Sequence, residues 1–182
     1  PSHEDAVKVH GLTDEFLADK PLFAAVADEL MAYLAGAEIL IDNIAAKDAP
    51  LVAQLRAHGA VILGKTNLSE FAGAITFGTM VGGATAVGGQ TGNPHGNYPT
   101  AGSSSGSAAG VAALLAMVSV GSETSGSLLG PSAWNGVVGM KPSRDLVDGA
   151  GVVPLIRTND SPGPVARTVT DAAALLDAID TA

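Results

Sequence analysis

Two short runs of serine and glycine contain the residues best suited to chemistry in this sequence. The first run is GSSSGS, residues 102–107, and the second is GSETSGSLLGP, residues 121–131. A serine hydroxyl is a weak nucleophile at neutral pH, so it needs a neighbouring base and N–H donors for the oxyanion that develops on a substrate carbonyl. Small residues around a serine allow backbone N–H groups to turn toward one point. One such run alone is more often a turn or linker, but two runs that meet in space can form a hydrolytic site.

A phosphate-binding loop is a competing interpretation of a different segment. GAVILGKT, residues 59–66, satisfies the pattern G-x-x-x-x-G-K-[ST]. Phosphate loops place small, flexible residues between the glycines, whereas AVIL is typical of a strand interior. We therefore interpret residues 60–63 as a buried strand and not as a phosphate site.

The histidines do not form a metal-binding pattern. None of them is spaced i, i+4 from another or lies beside a carboxylate pair at a ligand spacing, so neither a metal nor another cofactor is expected. They are His3, His10, His58 and His95. His58 instead suits the C-terminal end of a helix, where a cation is favoured.

Taken together, the two serine runs resemble the signature region of the amidase signature family of serine hydrolases. The similarity includes GSSSGSAA and GSETSGSLLGPSAWNGVVGMKPS, and it extends through DAPLVAQLRAHGAVILGKTNLSEFAG and GAGVVPLIRTNDSPGPVARTVTDAAALLDAI. The resemblance implies an α/β fold with a mixed β-sheet flanked by helices. It also implies cleavage of an amide or ester bond through an acyl-enzyme. We expect residues 1–182 to form a single amidase-like domain that lacks the C-terminal half of the family.

The resemblance also assigns roles to individual residues. The family uses a triad of serine, a second serine preceded by a cis peptide bond, and lysine. By motif position, Ser127 is the expected nucleophile and Ser103 the serine that relays its proton. The backbone N–H groups expected to form the oxyanion hole belong to Thr124, Ser125, Gly126 and Ser127. The other serines of the first run are interpreted as turn or helix-capping residues: Ser104, Ser105 and Ser107.

The lysine of the triad has no counterpart in this sequence. The family places it in an apolar-apolar-Lys-Asp-Asn motif, and the corresponding stretch is ILIDNI, residues 39–44. A lysine acts as a base only where burial or nearby positive charge lowers its pKa from about 10.4 toward neutrality. Lys47, in a polar loop, and Lys65, in a different motif, are poor substitutes. The catalytic lysine is therefore left unassigned.

Three functions follow from this resemblance and its gap. The leading one is an amidase-type hydrolase that acts on a small-molecule or peptide-like amide. The missing lysine motivates a second, a catalytically impaired binding or scaffold protein with the amidase fold. The third is an amidotransferase subunit that supplies ammonia within a larger assembly. The sequence decides neither the substrate nor the oligomeric state.

Composition narrows the partners. The formal net charge is −9 and the pI is about 4.6, which gives no electrostatic reason to bind nucleic acid. No apolar run reaches the roughly 18 to 20 residues that a membrane crossing requires, so no membrane association is expected. The chain has no cysteine, so covalent chemistry must use oxygen or nitrogen. A cytoplasmic location is the default expectation.

Local patterns predict the elements that would position these residues. A strand at 38–41, a helix from Pro50 to a Gly59 cap and a strand at 60–63 together indicate a βαβ unit. A glycine-rich loop is predicted over residues 73–102 because glycine destabilises helix interiors. Thr168 and Asp171 form a capping box that begins the last helix. The other predictions are helices at 19–35 and 105–117, and a strand or close-packed turn at 136–140.

Overall fold

The computed structural model describes residues 45–73 and 82–181. Within them, helices and sheets occur together in one chain, which confirms the predicted α/β class. The helices are α1 (Pro50–Ala57), a 3₁₀ helix (Glu70–Gly73), α2 (Ser105–Ala112), α3 (Leu129–Trp134) and α4 (Val169–Ile179). The strands are β1 (Ala84–Thr85), β2 (Gly89–Gln90), β3 (Val118–Glu123), β4 (Val138–Gly139) and β5 (Ser161–Ala166). The helix predicted at 19–35 and the strand predicted at 38–41 lie outside the described residues.

The main sheet has three antiparallel strands in the order β3-β5-β4. Its longest ladder pairs β3 with β5 from Val118↔Ala166 to Glu123↔Ser161. All six residues of β5 are buried. This central strand, together with the helices α2 and α4 that contact it, forms the framework to which the two serine runs are attached.

The central position of β5 was not predicted, because its sequence SPGPVA contains two prolines. Proline has no N–H and is usually excluded from central strands. The N–H of Met140 donates to the C=O of Pro164 at 3.1 Å, so Pro164 presents its hydrogen-bonding groups toward β4. The N–H and C=O of one residue point to the same side of an antiparallel strand, and residues two apart share that side. Pro162 and Pro164 therefore lack donors only on the side away from β3, and the long ladder is kept.

The prediction of a buried strand at residues 60–63 is wrong. Residues 60–69 have no strand pairing, and the side chains of Val61 and Leu63 are 81% and 74% exposed. A short apolar run becomes a strand only when a neighbouring strand pairs with it, and the described strands pair elsewhere. All pairings among residues 45–73 and 82–181 are antiparallel, so the predicted βαβ unit is not observed there.

Helix α1 follows its sequence signals. Pro50 occupies its first turn, His58 is its C-cap, and Gly59 follows with a positive φ of 81°. Its buried residue Leu51 packs into a core cluster with residues from the last third of the chain. The other buried members of that cluster are Val147, Leu175 and Ile179.

Helix α2 is shorter than predicted and is packed closely on all sides. It ends at Ala112 rather than at residue 117, because the backbone reverses at Leu114 (φ 63°) before entering β3. A Cβ on Gly106 would lie 2.4 Å from the carbonyl oxygen of Asn67, and the Gly106 N–H donates to that oxygen at 2.7 Å. Glycine at this position therefore lets the helix touch the backbone of another segment.

The helix-capping interpretation of the first serine run needs correction. Ser104 occupies the N-cap position of α2, but its hydroxyl makes no capping hydrogen bond. Ser105 and Ser107 lie inside the first turn of the helix instead of capping it. Their hydroxyls donate to the carbonyl oxygens of Ala101 and Val120 at 2.5 Å and 2.9 Å.

The glycine-rich segment is free of helix over residues 82–102, as predicted, and contains the short hairpin β1-β2. The side chain of Asn67 fixes this hairpin. Its amide group donates to the Gly83 carbonyl and to the Thr91 hydroxyl, both at 3.0 Å, and its amide oxygen accepts from the Thr85 hydroxyl at 2.7 Å. A long loop is thereby held against the segment that α2 contacts.

Helix α4 confirms the predicted cap. The Thr168 hydroxyl accepts the N–H of Asp171 at 3.1 Å and donates to the Asp171 carboxylate at 2.7 Å. Among the described helices, none has the length and apolar content needed to cross a membrane.

We expect Thr168→Ala to lower the free energy of unfolding by about 1 kcal/mol, because one N–H of the first helical turn loses its acceptor. The urea midpoint measures this change. Thr170→Ala is the matched control, since Thr170 is an exposed residue inside the same helix, where alanine is favourable. Equal losses in both variants would contradict a capping role for Thr168.

Candidate active site

The two serine runs meet in the structure. The first leads into α2 and the second connects β3 to α3. The Ser104 N–H donates to the Ser127 carbonyl oxygen at 2.8 Å. The Ser104 hydroxyl also accepts the Ser122 N–H at 3.0 Å and donates to the Ser122 carbonyl at 3.2 Å. The turns that carry Ser103 and Ser127 are therefore linked by adjacent hydrogen bonds.

Ser103 lies in a tightly restricted segment. Its peptide bond with Gly102 is cis, which is the geometry that the resemblance implies for this position. Ser103 is only 8% exposed, and its carbonyl accepts the Ser69 N–H at 2.9 Å. The Ser69 hydroxyl accepts the Gly83 N–H at 2.7 Å and would lie 2.2 Å from a Cβ on Gly102. The backbone before Ser103 thus packs directly against Ser69.

Ser127 is half-buried and follows Gly126, whose φ is 108°. Its carbonyl is occupied by Ser104, as described, while its side chain belongs to a partly exposed turn. Within residues 45–73 and 82–181, the Ser103 and Ser127 hydroxyls form no hydrogen bond with each other. The structure therefore joins the two turns through their backbones.

A buried carboxylate organises the turn around Ser127. Glu123 ends β3 and is only 3% exposed. Its carboxylate accepts the N–H of Gly126, of Leu128 at 2.6 Å and of Leu129 at 2.9 Å. These N–H groups lie at the start of α3, where a negative charge is favoured. Of the four donors expected in the oxyanion hole, Gly126 is thus bound to protein in this structure.

Two further charged side chains hold Thr124, which is buried. The Lys141 ammonium donates to the Thr124 carbonyl at 2.9 Å, and the Thr124 hydroxyl donates to the Asp160 carboxylate at 2.5 Å. The other oxygen of that carboxylate accepts the N–H groups of Leu155 and Ile156 at 2.7 Å and 2.9 Å. Asp160 therefore connects the oxyanion turn to the segment that precedes β5.

Sequence reasoning missed Glu123, Lys141 and Asp160 as parts of this site. Each lies in a segment that matches the family, namely GSETSGS, GMKPS and RTNDSPG. Their roles depend on which backbone groups their side chains reach, and no spacing in the sequence shows this. A glutamate three residues before a glycine that precedes a helix was the one local signal for Glu123.

The lysine expected in the triad cannot be placed from the described residues, because stretch 39–44 lies outside them. Lys47 and Lys65 are exposed. Lys141 is the lysine in contact with the predicted oxyanion turn, through the Thr124 carbonyl.

The histidines within the described residues bind backbone carbonyls. A ring nitrogen of His58 lies 2.9 Å from the Gln54 carbonyl, and Nε2 of His95 lies 2.9 Å from the Asn135 carbonyl. Over residues 45–73 and 82–181, no three potential ligands from histidine, aspartate or glutamate are grouped as a metal site. His3 and His10 lie outside the described residues.

Comparison with known proteins agrees with this geometry. The sequence profile of the amidase family matches residues 29–182. A probable amidase of Arabidopsis thaliana is 50% identical over 146 residues, which cover 80% of this chain and 28% of the plant protein. One of the glutamyl-tRNA(Gln) amidotransferase subunits of Natronomonas pharaonis is 45% identical over 146 residues, covering 79% of this chain and 33% of that protein.

Solved structures give the same result. The native peptide amidase of Stenotrophomonas maltophilia superposes with a TM-score of 0.76 at 49% identity, covering 81% of this chain and 30% of that one. An amidase family protein of Bacillus anthracis superposes with a TM-score of 0.79 at 47% identity, with the same coverages. This chain thus spans about a third or less of the length of these relatives. On the match to residues 29–182 and the shared fold, the chain belongs to the amidase family.

Proposed function

We propose that this chain carries the serine part of an amidase centre and cleaves a C–N amide bond through a seryl acyl-enzyme. The observation that carries the proposal is the hydrogen bond from the Ser104 N–H to the Ser127 carbonyl, which joins the turn of Ser103 to the turn of Ser127. Similarity to the Stenotrophomonas peptide amidase favours a small or peptide-like amide as the substrate.

In the proposed reaction, the Ser127 hydroxyl oxygen attacks the amide carbon and the carbonyl electron pair moves onto oxygen. Ser103 takes the proton of Ser127 and passes it toward the base, whose identity is left unassigned. The tetrahedral intermediate then expels the amine, which receives a proton, and water hydrolyses the remaining ester. Each oxyanion donor is typically worth about 3 kcal/mol.

The donors proposed for the oxyanion are the backbone N–H groups of Thr124, Ser125 and Ser127. Gly126 is left out of this set because its N–H binds the Glu123 carboxylate. The turn keeps its open side toward solvent, since Ser125 is exposed and Ser127 is half-buried. A substrate carbonyl therefore has access to the N–H groups that remain.

Two specific observations keep other functions in view. The stretch ILIDNI lacks the family lysine, which favours a binding or scaffold protein that retains the fold. The relatives include amidotransferase subunits, which favours an ammonia-supplying subunit within an assembly. Amide binding without hydrolysis between about pH 6 and 10 selects the first alternative, and activity that requires a co-purifying partner subunit selects the second.

A fluorophosphonate probe tests the leading proposal directly. We expect the purified chain to gain one probe mass, located by peptide mass spectrometry on the peptide that contains Ser127, and to release amine from a peptide amide. Absence of both labelling and amine release would remove the proposed hydrolase activity. Labelling at a different serine would move the nucleophile.

A further inference from the structure

The two peptide groups that flank Ser125 are each held by a charged side chain of opposite sign. The Lys141 ammonium binds the Thr124 carbonyl oxygen at 2.9 Å, on the N-terminal side of Ser125. The Glu123 carboxylate binds the Gly126 N–H, on its C-terminal side. Hydrogen bonds to charged groups are about twice as strong as neutral ones, so both contacts are effective restraints on the backbone.

The lysine contact fixes the direction of the Ser125 N–H. In a trans peptide, the C=O of one residue and the N–H of the next lie in one plane and point in opposite directions. Among the described residues, the cis bond is at Gly102–Ser103, so the bond between Thr124 and Ser125 is trans. With the Thr124 carbonyl directed at Lys141, the Ser125 N–H points to the opposite side of that plane.

The glutamate contact has the complementary effect. Because the Gly126 N–H is directed at the Glu123 carboxylate, the Ser125 carbonyl points away from it, on the other side of the second peptide plane. Packing adds little restraint here, since Ser125 is exposed and Gly126 has the conformational freedom of glycine at a φ of 108°. The orientation of this turn therefore depends on the two charged side chains.

We infer that Lys141 is a positioning residue, whose ammonium holds the Thr124 carbonyl so that the Ser125 N–H is presented to the substrate oxyanion. The inference rests on the proposed function for its catalytic consequence. Lys141 does not touch the substrate in this scheme and is not the missing base. Loss of its side chain allows the Thr124–Ser125 peptide to rotate, which removes one preorganised donor.

The experiment compares Lys141→Met with Lys141→Arg, which keeps a charged donor. Lys65→Met is the matched control, because Lys65 is an exposed lysine outside the site. Hydrolysis of a peptide amide gives kcat and KM, and ¹⁵N relaxation gives the order parameter of the Ser125 N–H. For Lys141→Met we expect kcat to fall about 10- to 100-fold while KM stays within about twofold. The order parameter should fall from about 0.85 to below 0.6.

Lys141→Arg should recover most of both values, and Lys65→Met should change neither. An unchanged Ser125 order parameter in Lys141→Met overturns the inference, whatever happens to activity. A rise in KM at constant kcat also overturns it, because that result indicates substrate binding. If Lys141→Met does not fold, an arginine variant with a disordered Ser125 N–H overturns the inference, and one with an ordered N–H supports it. If the wild-type chain shows neither labelling nor hydrolysis, the proposed function fails, while the order parameter still judges the positioning.

Discussion

Replacing Ser127 with alanine is expected to abolish both amide hydrolysis and fluorophosphonate labelling. Removal of a nucleophilic serine lowers kcat by up to about 10⁶-fold, because water attack then has to proceed without the covalent intermediate. Ser127 lies in a turn whose backbone is held by Glu123, Lys141 and Ser104, and the change deletes one oxygen atom from it. The fold should therefore survive the substitution, which circular dichroism and a urea titration will show.

Ser143→Ala is the matched control for this variant, since Ser143 is an exposed serine outside both turns. Its rate and labelling should equal those of the wild type. Ser103→Ala should still be labelled but far more slowly, because the nucleophile remains while its proton relay is gone. A burst of amine release that survives in Ser127→Ala would exclude Ser127 as the nucleophile.

Glu123→Ala should produce the largest loss of stability among single substitutions near the site. Its carboxylate satisfies three backbone N–H groups, and the alanine variant leaves all of them without an acceptor. Each unsatisfied buried donor costs about 1 to 3 kcal/mol. Leu128 is fully buried, whereas Leu129 and Gly126 are more open and regain some hydration. We expect a loss of about 3 to 5 kcal/mol, a large fraction of the roughly 5 to 15 kcal/mol of a typical domain.

Chemical denaturation measures this loss, and Glu70→Ala provides the comparison. The Glu70 carboxylate also accepts a backbone N–H, that of Ala86 at 2.7 Å, but this bond is exposed. Its removal should cost less than about 1 kcal/mol, since water replaces the acceptor. Similar shifts of the urea midpoint in both variants would show that burial of Glu123 does not contribute as argued.

Helix termini in this chain could be predicted from sequence because their signals are local. Pro50 and Gly59 delimit α1, and Thr168 with Asp171 begins α4, all within one turn of the residues that they stabilise. A cap depends on atoms a few residues apart, so its residue types are visible in the sequence. The structure places each of these caps where the residue pattern predicts it.

Strand assignments failed where long-range partners decide the outcome. Residues 60–63 have the apolar content of a buried strand, yet no described strand pairs with them and Val61 is largely exposed. Residues of β5 carry two prolines and still form the centre of the sheet, because the missing donors face away from β3. In both cases the neighbouring segment, and not the residue types, determines the structure.

The candidate site was predictable in part for the same reason. Motif position identified the turns of Ser103 and Ser127, and the structure joins them. The residues that hold the second turn were not identified, since Glu123, Lys141 and Asp160 act through side-chain directions that only the fold sets. One expected donor, the Gly126 N–H, is consequently occupied.

The pairing of β3 with β5 also constrains the order in which this molecule acquires its structure. The turn containing Ser127 begins where β3 ends, and β3 is hydrogen-bonded to a strand on the far side of residues 124–160. Closing a segment of that length costs chain entropy before the ladder returns any stability, which slows formation of such contacts. During synthesis on the ribosome, the Ser127 turn therefore cannot be locked until β5 has left the exit tunnel.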